Sequence, residues 1–196
     1  MNSKEIRYLT KDFEIRAKED GTKTVTGYVV KFNKRSQLIW GEFYEKVAKG
    51  AFSKSLEENT IKALWNHRSD YILGSTKNGT LRLEEDDIGL RFELDLPNNT
   101  WGNDAYESIQ RGDTDGVSFG FVVRNDNWEY IKDEDVYERT LLDVDLFEIS
   151  PTPFPAYPDS EVGKRSMEGI PDTKEERHKR KEQEIHKRKL LLELEL

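Results

Sequence analysis

The chain has 196 residues, of which 36% are charged and 35% hydrophobic, and its formal net charge is −8. From Lys164 to the end there are 10 Lys/Arg and 8 Asp/Glu, which leaves 21 and 31 in residues 1–163, so a body of about −10 carries a tail of about +2. The acidic body argues against nucleic acid as the main partner, because phosphate binding needs a basic surface, and the absence of cysteine excludes disulfides, thiolate zinc sites and a cysteine nucleophile.

The first half of the chain predicts short strands joined by tight turns. Apolar and polar residues alternate over residues 12–32 around a Glu-Asp-Gly turn at 19–21, which indicates a hairpin. Residues 43–47 suit a short strand, and residues 51–58 carry apolar side chains at helical spacing. Ile61–Trp65 then suits another short strand.

The second half continues this pattern until a run of prolines interrupts it. The predicted elements are paired strands over Thr80–Glu84 and Leu90–Leu96, a helix over Asp104–Arg111 that stops at Gly112, and strands over Val117–Val123 and Glu138–Ile149. Prolines at 151, 153, 155 and 158 then end regular structure. Seven or eight short strands, small helices and no alternation of strand with helix predict a mainly β fold, either an antiparallel barrel or a folded sheet.

The composition changes near Lys164. Asp172–Lys189 is almost entirely charged, with Glu and Lys/Arg four residues apart, and a leucine-rich end follows. We therefore expect a folded domain over residues 1–162 and a charged, partly helical or disordered C-terminal arm over residues 163–196. The apolar end of this arm is suited either to a partner protein or to a frayed helix in solvent.

Residues 116–120 read Gly-Val-Ser-Phe-Gly, a formal match to the Gly-x-Ser-x-Gly nucleophile elbow of α/β-hydrolases. That elbow needs a strand, a turn and a helix, with the histidine of the triad after the serine. Here Phe119–Val123 continues as a strand, and the later histidines, His178 and His186, lie in the charged arm. The pattern alone favours a serine within a strand at Ser118 over an esterase nucleophile.

His67 is the one histidine before the arm, and it follows directly after a predicted strand. A histidine in this position is more often a surface or capping residue than a catalytic one. Imidazole titrates near neutral pH, however, which suits a general base for a hydroxyl nucleophile. A serine hydroxyl needs such a base within about 3 Å and a third group that holds the ring.

Carboxylates that could hold the ring lie in the last predicted strand. Leu146 and Glu148 share one face of that strand, whereas Asp143 and Asp145 point to the other. A carboxylate beside apolar residues predicts a partner for Glu148, and a solvent-facing glutamate on an edge strand is the alternative interpretation.

Several other function classes have no support in the sequence. The acidic cluster at residues 84–87 is interpreted as a solvated turn, because calcium loops need a longer alternating spacing. Phosphate-binding glycine motifs and zinc-ligand spacings are absent, so we expect no metal and no cofactor. Residues 1–5 lack the apolar core of a signal peptide, and no apolar run approaches the roughly 18 residues of a membrane span. We expect a soluble intracellular protein that does not bind membranes.

Taken in order, these segments resemble the prohead serine proteases of tailed bacteriophages, which are related in fold to the herpesvirus assemblins. The resemblance covers about residues 20–162. It rests mainly on Asn66-His67, on Gly-x-Ser-Phe-Gly-Phe at residues 116–121, and on Glu148-Ile149-Ser150 followed by Pro-Ala-Tyr-Pro at residues 155–158. Each piece is weak alone, but the ordered set is specific.

The resemblance implies a small assemblin-like β-barrel with short helices, and a serine endopeptidase that needs no cofactor. It implies His67 as general base, Ser118 as nucleophile and Glu148 as third member, with Asp145 and Asp143 as alternatives. Backbone N–H groups of the proline-rich loop, Ala156 among them, would stabilise the oxyanion.

The implied partners are the phage major capsid protein and the scaffold, inside a procapsid assembling in the host cytoplasm. The implied enzyme often cleaves itself. Herpesvirus relatives work as dimers, so a homodimer is an option. A non-catalytic capsid-assembly module on the same barrel is the alternative function.

Overall fold

Two β-sheets with short flanking helices make up most of the molecule. A computed structural model describes residues 5–10, 13–17, 21–153 and 170–194. Its strands are β1 (Glu5–Thr10), β2 (Phe13–Ala17), β3 (Lys23–Lys31), β4 (Phe43–Val47), β5 (Lys62–Trp65), β6 (Arg68–Ser75), β7 (Leu81–Glu85), β8 (Gly89–Asp95), β9 (Gly116–Ile131) and β10 (Val136–Thr152). Its α-helices are α1 (Ser53–Glu58), α2 (Thr100–Gln110) and α3 (Lys174–Leu194).

The larger sheet is built on the long antiparallel hairpin of β9 and β10. Its strand order is β1-β9-β10-β5-β6, and β4 also pairs with β10. The smaller sheet has the order β2-β3-β8-β7, so the hairpin of residues 12–32 and the pairing of β7 with β8 are as predicted. The predicted mainly β fold is confirmed, and the sheet curls into a half-barrel.

Two pairings differ from a purely antiparallel sheet. β4 runs parallel to the start of β10, and β5 runs parallel to its end. The chain returns from β4 through α1 before it enters β5, so both strands point in the same direction along one long partner. Parallel strands of one sheet need a crossover connection of this kind. The short, polar sequence of α1 did not predict that it forms one.

One hydrophobic cluster joins both sheets and the helices α1 and α2. Its members include Val25, Val29, Phe52, Ile61, Leu73, Phe92, Ala105, Ile109, Phe119, Phe121 and Leu146. Helix α2 starts four residues before the predicted Asp104, because the Asn99 side chain accepts a hydrogen bond from Gly102 N at 2.8 Å and caps it. The helix ends before Gly112, as predicted, where φ is +79°.

β9 continues to Ile131, well beyond the predicted end at Val123, whereas β10 exceeds its predicted segment by only a few residues at each end. Their outer half carries an aromatic cluster in which Tyr137 lies 6.2 Å from Trp128 and 5.3 Å from Tyr130, measured between ring centroids. Aromatic cross-strand pairs of this kind stabilise a hairpin. Charged residues between the aromatic ones interrupt the alternation that predicts a strand, so the sequence did not predict this extension. Charged residues are also the reason that β1 and β6 were not predicted.

The arm contains a helix, as predicted, but its first turn is attached to the domain. Arg177 is buried, donates to the carbonyl of Asp135 at 2.7 Å and lies over the rings of Tyr130 and Tyr137. The following residues 178–187 are exposed. In the part of the chain that the structure describes, none of the helices has the length and apolar character to span a membrane.

Candidate active site

His67 lies in the two-residue turn that joins β5 to β6. Trp65 and Arg68 pair across this turn, and the two central residues have left-handed backbones, with φ of +50° at Asn66 and +61° at His67. Two positive φ values are typical of a type I′ hairpin turn, in which the second position usually holds glycine. A histidine with this backbone is strained, and such strain is common at functional sites.

The end of β10 holds this strained turn in place. Asn66 N donates to the carbonyl of Pro151 at 3.1 Å, and its side-chain oxygen accepts from the Thr152 hydroxyl at 2.8 Å. His67 N donates to the Ser150 hydroxyl oxygen at 3.2 Å. Three hydrogen bonds therefore fix the position from which the imidazole extends.

Glu148 contacts the ring of His67 directly. Its Oε1 lies 2.8 Å from His67 Nδ1, and its Oε2 accepts a hydrogen bond from the Ser150 hydroxyl at 2.7 Å. A carboxylate on Nδ1 favours the tautomer with the proton at Nδ1, which leaves Nε2 free to accept a proton. The glutamate side chain is only 3% exposed and β10 is an interior strand, so the interpretation as a solvent-facing edge residue is wrong.

The two alternative carboxylates lie elsewhere along β10. Asp145 pairs with Arg124 of β9, and Asp143 lies opposite Asn125. Of the three carboxylates considered, the structure brings Glu148 to His67.

Helix α1 helps to direct Glu148 inward. The register of β10 against β9 shifts between Leu146 and Glu148, and Phe147 at this shift is exposed. Next to the shift, Leu146 N donates to the buried Ser55 hydroxyl at 2.7 Å, and this hydroxyl lies 3.3 Å from Leu146 O. Ser55 therefore satisfies the backbone groups of β10 just before the residue that contacts His67.

Ser118 lies on β9, directly opposite Ser150 in the register of the hairpin. Directly paired residues of antiparallel strands share a face, about 4.5–5.5 Å apart, and Glu148 shares that face two residues before Ser150. β9 continues without a break to Ile131, so the elbow of an α/β-hydrolase is not formed here. The register thus brings Ser118 next to the Ser150–Glu148–His67 chain of contacts.

The Ser118 hydroxyl is engaged by β1, a strand that sequence reasoning missed. The hydroxyl is fully buried and donates to the carbonyl oxygen of Arg7 at 2.7 Å. β1 pairs antiparallel with β9, and Tyr8 lies opposite Ser118. Among the contacts of the described residues there is no hydrogen bond between Ser118 and the ring of His67. The alternation of Ile6 and Tyr8 was the available signal for β1, and the charged residues beside them obscured it.

A largely buried group of charges connects β1 to the sheet, on the face that holds Phe119 and Phe121 and opposite to the Ser118 side chain. It consists of Glu5, Arg7, Glu45, Asp126 and Arg139. Burial alone would raise the pKa of Glu5, but the two arginines outweigh it and hold the pKa below its ordinary value. Burial would likewise lower the pKa of Arg7, yet the charges of Glu45 and Glu5 raise it above the ordinary value. The side chains of Glu5 and Arg7 are therefore both ionised when β1 is docked on β9.

The remaining predicted features have simpler positions. Within the described residues no cluster of His, Asp or Glu is arranged to bind a metal ion. The acidic turn at residues 84–87 also makes hydrogen bonds within the protein. Asp86 accepts from Ile88 N at 2.7 Å, and Glu85 accepts from the Ser53 hydroxyl at 2.5 Å. Ala156 and the proline-rich loop beyond Pro153 lie outside the described residues.

Comparisons with known proteins identify one family and one similar fold. The family model described as "Caudovirus prohead serine protease" matches residues 11–173. A solved structure of the bacteriophage T4 capsid assembly protease is similar in fold, with a TM-score of 0.53 at 10% sequence identity, covering 77% of this chain and 100% of that chain. The search of curated proteins gave no match.

Proposed function

The chain belongs to the caudovirus prohead serine protease family, and from this premise we propose that it is a serine endopeptidase. In this proposal it cleaves scaffold protein, major capsid protein or both during procapsid maturation, and it also cleaves itself. The observation that carries the proposal is the buried Glu148 carboxylate on Nδ1 of His67, beside a serine on the neighbouring strand. Its place of action would be the interior of the assembling procapsid.

The mechanism follows from the direction of these contacts. When a substrate is bound, His67 Nε2 takes the proton of the Ser118 hydroxyl while Oγ forms a bond to the scissile carbonyl carbon. The tetrahedral intermediate collapses, the C–N bond breaks, and the imidazolium gives its proton to the leaving amine. Water, activated by the same ring, then attacks the acyl-enzyme and releases the acid. Glu148 keeps the tautomer fixed and stabilises the imidazolium.

The hydroxyl of Ser118 must leave its present partner before this reaction can begin. It now donates to the oxygen of the Arg7 carbonyl, whereas the reaction needs it to donate to the imidazole. We infer that the reactive state needs β1 to be displaced and the Ser118 side chain to rotate toward His67. Backbone N–H groups of the loop after Ser150, including Ala156, are the proposed oxyanion donors.

Co-expression with the major capsid protein and the scaffold tests the proposal. We expect the wild type to shorten at least one of them, and Ser118→Ala to leave both intact with an unchanged fold, because the hydroxyl contributes little packing volume. Ser108→Ala is the matched control, since this half-buried serine of α2 donates within its own helix, to Asp104 O at 2.8 Å. Equal cleavage by Ser118→Ala and the wild type would refute the assignment.

A second pair of variants tests the third member. Glu148→Gln should lose most activity, because an amide cannot stabilise the imidazolium as a carboxylate does. Asp145→Asn should stay active, since this residue pairs with Arg124. Loss of activity in Asp145→Asn alone would identify Asp145 as the third member.

The competing function is a non-catalytic capsid-assembly module. The complete burial of Ser118 under β1 is the observation that favours it. A chain that binds capsid or scaffold protein but never cleaves either, even after β1 is displaced, would be such a module.

A further inference from the structure

Strand β1 lies where a peptide would have to lie to meet Ser118. It is an edge strand of the larger sheet, antiparallel to β9, and its Arg7 carbonyl oxygen is 2.7 Å from Ser118 Oγ. Peptides commonly bind by adding a strand to a sheet edge, with alternate side chains in pockets that give specificity. The Arg7 carbonyl contacts Ser118, whereas the side chains of Arg7 and Glu5 point to the other face of the sheet, where Phe119 and Phe121 lie. They therefore mark two side-chain sites for a strand bound in this place.

The site filled by Arg7 is built for a cation. Arg7 Nε and Nη2 lie 2.6 and 3.0 Å from the two carboxylate oxygens of Glu45, a bidentate pair. The guanidinium carbon also lies 5.6 Å from the centre of the Phe121 ring. Arg7 is 8% and Glu45 2% exposed, so solvent screens this pair little.

The site filled by Glu5 is built for an anion. Arg139 donates to the two carboxylate oxygens of Glu5 at 2.9 and 3.1 Å. Arg139 is itself fixed by Asp126 at 2.6 Å and lies over the ring of Trp128. This arginine belongs to β10, and its contacts with Asp126 and Trp128 do not involve β1.

The charges of the sheet explain why the two sites differ in sign. The part of this group outside β1 consists of Glu45, Asp126 and Arg139, which carry two negative charges and one positive, and Glu45 lies 3.2 Å from Arg139. An acidic side chain in the Arg7 position would add buried negative charge with no cation to pair with it, which is strongly unfavourable. A basic side chain there, with an acidic one two residues earlier, pairs every charge in the group.

We propose that Glu45 and Arg139 determine substrate specificity, so that the enzyme prefers an extended segment with arginine or lysine immediately before the cleaved bond and aspartate or glutamate two residues earlier. This inference rests on the proposed function, because it takes Ser118 as the nucleophile. It adds the substrate class, which the catalytic residues do not determine.

Peptide cleavage by the full chain tests the inference, with β1 loosened by the double substitution Glu5→Ala/Arg7→Ala. Four matched peptides share one sequence and carry Glu-x-Arg, Gln-x-Arg, Glu-x-Gln or Arg-x-Glu before the bond. We expect kcat/KM for Glu-x-Arg to exceed that for Arg-x-Glu at least tenfold, with the two neutralised peptides between them. In the same background, Glu45→Gln should remove the preference for Arg over Gln next to the bond. Glu138→Gln is the matched control, because this buried glutamate of β10 pairs with Arg35 and Lys46 instead.

The possible results separate the two proposals. Cleavage of all four peptides at similar rates, or an unchanged ranking in Glu45→Gln, overturns the specificity proposal and leaves the serine protease intact. Cleavage of none of them by a folded β1-loosened chain overturns both. If Glu45→Gln fails to fold, Arg139→Gln tests the specificity proposal in its place. This variant should lose the preference for Glu over Gln two residues before the bond.

Discussion

At the scale of single residues, the site depends on a histidine with a backbone that histidine disfavours. The left-handed conformation costs an L-residue about 1–2 kcal/mol, and His67 adopts it in a turn where glycine would be free of strain. Bonds from the end of β10 to Asn66 and His67 hold the turn. The benefit of this arrangement is that the ring lies against Glu148.

Replacing His67 with two small residues separates strain from chemistry. His67→Ala and His67→Gly both remove the ring and leave Glu148 without it, so both should be inactive. They differ only in the tolerance of the left-handed backbone, so the Gly variant should be more stable by about 1 kcal/mol. Urea unfolding of both variants measures the difference. Equal stability would show that the turn relaxes and that residue 67 is not strained.

At the scale of elements, the site is assembled by β10 and the segments that pack on it. β5 pairs with it beside Glu148, β9 supplies Ser118 opposite Ser150, and α1 supplies Ser55 at the register shift. Pairing with β10 or packing against it therefore fixes the position of each of these segments.

Ser55 tests whether α1 positions the site. Ser55→Ala leaves the buried N–H of Leu146 without its hydrogen-bond partner, which costs about 1–3 kcal/mol of stability. The substitution should also lower kcat, because Glu148 follows Leu146 by two residues. Ser53→Ala is the control within the same helix, because Ser53 is exposed and its hydroxyl bonds the Glu85 carboxylate, and it should change stability by less than about 0.5 kcal/mol. Thermal unfolding and peptide hydrolysis measure the two effects. Similar behaviour of the two variants would contradict a special role for Ser55.

The docking of β1 should depend on pH through Glu5. Because its pKa in the docked strand lies below the ordinary value of 4.5, docking gains stability above that pH and loses it as the pH falls through the lowered pKa. Hydrogen-exchange protection of β1 should thus be constant from neutral pH to about 4.5 and fall only below it, while β9 and β10 stay protected. In Glu5→Gln this pH dependence should be absent. A β1 that loses protection between pH 7 and 5 would contradict the assignment to Glu5.

At the scale of the whole molecule, an acidic body holds a charged arm by the first turn of its helix. Arg177 and His178 both contact Asp135, and Lys174 N donates to Glu42 at 2.7 Å. Beyond this turn the side chains at 178–187 are exposed. The division into a domain over residues 1–162 and an arm over 163–196 remains a prediction, and the attachment at Arg177 shows how such an arm is held.

Arg177 should control the attachment of the arm. Arg177→Ala removes the buried guanidinium from Asp135 and from the rings of Tyr130 and Tyr137, so we expect trypsin to cleave the arm much faster than in the wild type. Lys187→Ala, which removes an exposed cation farther along the same helix, is the control and should change the rate little. Equal protection in both variants would mean that other contacts hold the helix.

The sequence predicted most of the strands and the three residues of the proposed site, because alternation and short motifs are local signals. The place of Glu148 among apolar residues predicted a partner, the family resemblance made it the choice for the third member, and the structure brings its side chain to His67. It could not indicate β1, since Glu5 and Arg7 are charged yet buried only through pairing with Glu45 and Arg139. The parallel pairing of β4 and β5 with β10 likewise depends on contacts between residues far apart in sequence.

The most direct measurement is covalent labelling with a fluorophosphonate probe, which reacts only with an activated serine, followed by peptide mass spectrometry. In the chain with β1 loosened by Glu5→Ala/Arg7→Ala, we expect the probe on Ser118, and we expect His67→Ala to abolish this labelling. An unlabelled Ser118 in the folded protein, or labelling at the same rate without His67, would contradict catalysis by this pair.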